Sequence, residues 1–109
     1  MKAYKGFNKD LTCRDMQYKI GETYTTDKAI VCQTGFHACT VPLDCLSYYP
    51  PSWSRYCVVR QSGKFSYYTD DDSKVASTEI TIEAELNVEG LINAHKKYLN
   101  KNRYQRYTL

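Results

Sequence analysis

Gly35-Phe36-His37-Ala38-Cys39-Thr40-Val41-Pro42-Leu43-Asp44-Cys45-Leu46-Ser47-Tyr48-Tyr49 is the stretch whose reading decides the fold. It opens as a short buried strand, with Phe36 and Ala38 on one face and His37 and Cys39 on the other. The strand then passes at once into a helix. Thr40 is placed to cap it, since a hydroxyl can accept a bond from an orphan backbone N–H. Pro42 suits the first helical turn, where no N–H is needed, and Asp44 suits the positive end of the helix dipole. Leu43, Leu46 and Tyr49 follow at helical spacing, and Pro50-Pro51 ends the segment.

Upstream, Lys2–Phe7 reads as a first strand closed by the turn Asn8-Lys9-Asp10. Leu11–Arg14 reads as a short strand or an exposed bridge. Gln17–Ile20, Gly21-Glu22 and Thr23–Thr25 read as strand, turn and strand, with Tyr18 and Ile20 alternating against Gln17 and Lys19. Ala29–Cys32 is a further apolar run.

Downstream, Ser52-Trp53-Ser54 is a loop, and Arg55–Gln61 is a strong strand. Ser62-Gly63 is expected to turn the chain so that Lys64–Tyr68 pairs back as a hairpin. Asp70-Asp71-Asp72 reads as a charged turn, and it lacks the alternate ligands and later glutamate of a calcium loop. In Thr78–Leu86, Ile80, Ile82, Ala84 and Leu86 share one face, and Glu79, Glu83 and Glu85 share the other. Asn87 or Glu89 starts the last helix, whose apolar face is Leu91, Ile92, His95 and Leu99. These elements define an α+β fold: a mostly antiparallel sheet, one short central helix and one C-terminal helix. They form a single domain over residues 1–109, with a basic helix or tail over about 89–109.

The charge is uneven. Residues 91–109 carry Lys96, Lys97, Lys101, Arg103 and Arg106 with no acid, so the overall charge of +3 leaves −2 for the first ninety residues. Tyr98, Tyr104 and Tyr107 interleave with these bases, a pattern able to track a phosphate backbone and stack on bases. The overall charge is too mild for a dedicated DNA-binding protein. The chain has 11 tyrosines, which serve both cores and contact surfaces. Its five cysteines include no CxxC pair, and free, mostly buried thiols are expected rather than a metal or redox site. No apolar run reaches membrane-spanning length, and Met1–Lys5 lacks the apolar core of a signal peptide, so a cytoplasmic location is expected.

Chemistry-bearing motifs are sparse. There is no Gly-rich phosphate loop, HExxH or GxSxG. His37 is the natural candidate for a base, against the plainer reading of a hydrogen-bonded structural histidine. Glu83 and Glu85 place two carboxylates on one strand face, where solvent exposure is the simpler explanation.

Three sets of residues carry a resemblance. They are Lys2–Phe7 with Cys13, Tyr18, Gly21 and Tyr24; Gly35–Cys39 with Pro42-Leu43-Asp44 and Tyr48-Tyr49-Pro50; and Asp72–Ala76 with the strand after it. Over roughly residues 1–90 the chain resembles a domain of unknown function found in small phage and prophage proteins. That resemblance implies a phage-derived interaction protein in the bacterial host cell, an anti-CRISPR-like inhibitor that binds and occludes a bacterial defence protein or nuclease complex. Neither catalysis nor a cofactor or metal is expected.

The expected partner contacts are Trp53, Lys97, Tyr98, Lys101, Arg103, Tyr104, Arg106 and Tyr107, since tyrosine, tryptophan and arginine dominate interface energetics. The alternative is a nucleic-acid-binding accessory protein using the same basic segment. A fainter likeness, through Tyr4-Lys5-Gly6, Gly35-Phe36-His37 and Glu83-x-Glu85, is to ADP-ribosyltransferases. Here Lys5 stands where that family has arginine or histidine.

Overall fold

Seven strands and one α-helix are laid down in order in the computed structural model, which describes residues 1–67 and 73–107, with side chains as far as residue 102. The strands are β1 (Lys2–Asn8), β2 (Thr12–Cys13), β3 (Met16–Gln17), β4 (Thr23–Thr25), β5 (Phe36–Cys39), β6 (Ser54–Tyr67) and β7 (Lys74–Leu86). The helix α1 spans Val88–Tyr107, and two 3₁₀ turns, Pro42–Ser47 and Pro51–Trp53, fill the link from β5 to β6. The α+β class holds. The acidic triplet Asp70–Asp72 lies outside the described residues.

The sheet runs β4-β7-β5-β1-β6, and β6 also pairs with β7, so the antiparallel order closes on itself. Inside this ring lie Ala3, Phe7, Tyr18, Phe36, Ala38, Val59, Ile80 and Ile82. Gln61 is fully buried among them, its amide nitrogen donating to the Phe36 and Val75 carbonyls at 3.0 and 2.9 Å. On the opposite face Cys39, Cys45, Tyr56 and Leu91 form a second core beneath the 3₁₀ turn and α1. Strand β5 therefore feeds both cores, as its alternation implies: Phe36 and Ala38 one way, Cys39 the other.

Several local expectations are corrected. The central helix is a 3₁₀ turn, because only a few residues separate Pro42 from Pro50 and a stable α-helix needs more. Its cap position is Val41, not Thr40. The Thr40 hydroxyl is drawn instead to the Ser73 carbonyl, while the Ser73 hydroxyl accepts the Val41 N–H at 3.2 Å and donates to Asp44 at 2.7 Å. Thr23–Thr25 does not fold back on Gln17–Ile20. It pairs with Thr81, Ile80 and Glu79 of β7, where a longer strand offers a full ladder.

Ser62-Gly63 is a bulge rather than a hairpin turn, so β6 continues to Tyr67. Gly63 has φ +82°, and the Lys64 N–H donates to the Thr78 hydroxyl at 2.9 Å. A second irregularity, between Val58 and Val59, adds a residue to β7 at Glu83. It breaks the even alternation, leaving Ala84 exposed and turning Leu86 to the second core.

Helix α1 begins at Asn87, whose side-chain oxygen accepts the Gly90 N–H at 2.7 Å. Its buried seam is narrower than the expected face. Leu91 is fully buried, but Ile92 and Leu99 are 38% and 51% exposed. The helix rests one edge on the 3₁₀ turn, so Ala94, His95 and Tyr98 take the inner positions. Among the described residues no helix is long and apolar enough to cross a membrane.

Candidate anion-binding cleft

Strand β1 alternates Ala3, Lys5 and Phe7 toward the first core. Hydrophobic patterning asks for an apolar residue at the middle position, and the chain has a lysine that is only 5% exposed. Its ammonium donates to the His37 carbonyl at 2.6 Å and stands 5.6 and 5.7 Å from the ring centres of Phe7 and Tyr18. Carbonyl and ring faces both favour a cation, but neither supplies a formal counter-charge. Among the described residues, ion pairs join Arg55 to Glu85 and Arg60 to Glu83, and none involves Lys5. An ammonium has three donors and one is used. Burying a charge this way is costly unless something pairs with it.

Above Lys5 lies a cleft of about 320 Å³. Strand β1 contributes Tyr4, Lys5 and Gly6; β5 contributes His37 and Cys39; the chain after the 3₁₀ turn contributes Tyr48 and Tyr49. Arg14, from the turn joining β2 to β3, and Lys74, at the start of β7, complete the rim. The cleft lining contains three bases and no carboxylate. Gly6 is required here. A Cβ at this position would lie 2.7 Å from carbons of the Tyr49 side chain, so glycine lets that side chain approach the strand. The Tyr49 hydroxyl shares a 3.0 Å hydrogen bond with the Cys13 thiol, and the Tyr49 carbonyl accepts from the Tyr56 hydroxyl. The Lys74 ammonium sits 4.1 Å from the centre of the Tyr48 ring.

His37 has both ring nitrogens engaged. Nε2 accepts the Cys32 N–H at 2.8 Å, which leaves Nδ1 to donate to the Gly35 carbonyl at 3.2 Å. Burial lowers its pKa to about 4, and Lys5, Arg14 and Lys74 add to that effect against the opposing bond to Gly35. A neutral imidazole tied at both ends is a strut between Cys32, Gly35 and β5, not a free base. The thiols are equally quiet. Cys45 is pushed well above the ordinary range by a hydrogen bond with Cys39 and by burial, and burial raises Cys57 to about 11. All five cysteines are free, three of them buried. Among the described residues no group of three or more His, Cys, Asp or Glu gathers as a metal site.

Glu83 and Glu85 do not line this cleft. Arg60 lies 3.6 Å from Glu83, while Arg55 grips both oxygens of Glu85 at 2.9 and 2.7 Å.

The residues expected to meet a partner are only partly brought together. Lys97, Tyr98 and Lys101 converge with Lys2 and Tyr4 on a separate hollow of about 470 Å³ between α1 and the sheet. Trp53 is 61% exposed at the end of its turn and lines neither hollow. The side chains of Arg103, Tyr104, Arg106 and Tyr107 lie outside the described residues. Lys5, Arg14, Lys74, Tyr48 and Tyr49 are not among the contacts expected from the sequence. The available signal was a lysine at an inward position of β1.

Fold and cleft together define a small α+β domain with a buried cation at its centre. The chain belongs to a family known as a domain of unknown function, DUF7666, which matches residues 1–94. The match takes in every residue of the Lys5 cleft and stops before Lys97, Tyr98 and Lys101. No curated protein and no solved structure matches the chain.

Proposed function

We propose that this domain is a binding protein for a small anionic ligand, whose negative group docks on the Lys5 ammonium beneath the rim of Arg14 and Lys74. The observation that carries this reading is Lys5 itself, a lysine buried without a carboxylate in a cleft that adds Arg14 and Lys74, three tyrosines and small or thiol side chains. A ligand anion would supply the missing counter-charge in a low-dielectric site, where it counts most. The groups a catalyst would need support binding over catalysis. His37 is committed at both nitrogens, and Glu83 and Glu85 are held by arginines away from the cleft.

The test is calorimetric titration with inorganic diphosphate, comparing the wild type with Lys5→Met. Binding is expected in the wild type and lost in the variant, with the fold checked by circular dichroism. Equal binding by both proteins would overturn the reading.

A second reading is favoured by a different surface. The exposed Trp53, with Lys97, Tyr98 and Lys101 at the helix hollow, suits a phage-derived inhibitor that occludes a bacterial defence complex. The phage context and the Gly35–Cys39 motif belong to this reading. A pull-down in which Trp53→Ala and Lys101→Ala release a captured defence protein would support it. Co-purifying nucleic acid with strong salt dependence would favour the accessory nucleic-acid role instead.

A further inference from the structure

A second hollow of about 490 Å³ shares Lys5, Cys13, Arg14 and His37 with the first. Both volumes fall in the range of about 300–1,000 Å³ usual for ligand pockets. The shared residues lie between two lobes, of which the second carries more hydroxyl and amide groups.

The first lobe is aromatic and apolar, with Tyr4, Tyr48 and Tyr49 above Cys39 and Cys45, which suits a planar ring. The second lobe adds Thr25, Thr26, Thr34, Gln33 and Asp15 to a floor of Met16, Tyr18 and Phe36. Asp15, Thr25, Thr26 and Gln33 are exposed, and Thr34 is half-buried. They offer three hydroxyls, an amide and a carboxylate, the set that recognises a hydroxyl-rich ring. The shared residues include Lys5 and Arg14, the two cations common to both lobes. The Asp15 carboxylate in the second lobe repels phosphate and accepts from hydroxyl groups, which keeps the anion at the shared cations and the polyol in the second lobe.

Resting on the anion-binding reading above, we infer that the ligand is a nucleoside diphosphate sugar. Its base lies in the tyrosine lobe, its diphosphate on Lys5 and Arg14, and its sugar among Thr25, Thr26, Thr34 and Asp15. The order of parts in the ligand matches the order of chemistry along the groove.

The experiment is a calorimetric series at fixed ionic strength: inorganic diphosphate, then UDP and ADP, then UDP-glucose and ADP-ribose. The expected result is a gain of about tenfold on adding the base and about tenfold more on adding the sugar. Tyr48→Ala, at an exposed ring, should remove the base gain alone. The paired change Thr26→Val and Thr34→Val should remove the sugar gain alone. The threonine variant should bind diphosphate like the wild type, and the base gain in Tyr48→Ala is read against that variant's own diphosphate affinity, since Lys74 rests on the Tyr48 ring. If diphosphate binds and neither base nor sugar adds affinity, the inference is overturned while the anion-binding reading stands. A gain from the base without one from the sugar overturns it equally. If nothing in the series binds, both fall together.

Discussion

The molecule carries two cationic hollows, and they differ in what holds the charge. At the Lys5 cleft the ammonium is buried in the sheet, bonded to a backbone carbonyl and set near two aromatic rings. At the helix hollow Lys97 and Lys101 are exposed. Solvated lysines cost little to keep and bind little by themselves. A buried ammonium without a carboxylate lowers stability wherever it sits, so its presence in mid-strand makes sense if a ligand completes it. A count of positive residues ranks the C-terminal segment first, whereas burial ranks Lys5 first.

The comparison can be broken most forcefully at the helix seam. Leu91 is fully buried in the second core, so Leu91→Ala should cost about 2–5 kcal/mol of unfolding free energy in urea. Ile92→Ala and Leu99→Ala, on the exposed side, should stay within about 0.5 kcal/mol of wild type. Similar losses at all three positions would mean that the helix packs on a broad face.

Next comes Gly6→Ala. The new methyl meets Tyr49 in the cleft wall and should cost about 1–3 kcal/mol through overpacking, with diphosphate affinity reduced as Tyr49 is displaced. Lys5→Met follows with the opposite sign. Removing a buried, uncompensated charge should raise stability by about 1 kcal/mol while abolishing diphosphate binding. Lys97→Met and Lys101→Met should change neither property measurably.

A pH response is also expected. Folded His37 takes its proton only near pH 4, against 6.5 for an ordinary histidine. Between those values the unfolded chain binds a proton that the folded chain declines. His37 therefore contributes its full stability above about pH 6.5, and that contribution is lost as the pH falls toward 4. The urea midpoint should drop between pH 7 and pH 5, and His37→Gln should reduce that drop.

Much of the framework was legible because local signals agreed. The alternation of β5, Pro42 at the 3₁₀ turn and the double proline all pointed the same way, and Asn87 was one of two expected helix starts. What could not be read was long-range. Gly63 marks a bulge or a turn equally well until Thr78 is opposite it. The Glu83 bulge leaves no trace in a sequence that alternates cleanly through it. The buried amide of Gln61 reads as a strand-end polar residue until β5 and β7 are seen to flank it. The cleft was hidden for the same reason. Lys5, Arg14, His37 and Tyr49 lie on four separate segments, and only the closure of the sheet brings them together. The exposed basic tail was conspicuous in sequence because it is contiguous, which says little about burial.

The central claim is that Lys5 is the docking point for an anion, and the most direct measurement is NMR of the lysine ammonium groups during titration with inorganic diphosphate. The Lys5 Nζ resonance should shift and saturate at low diphosphate, while those of Lys97 and Lys101 stay in place. A titration in which Lys97 and Lys101 respond and Lys5 does not would contradict the account.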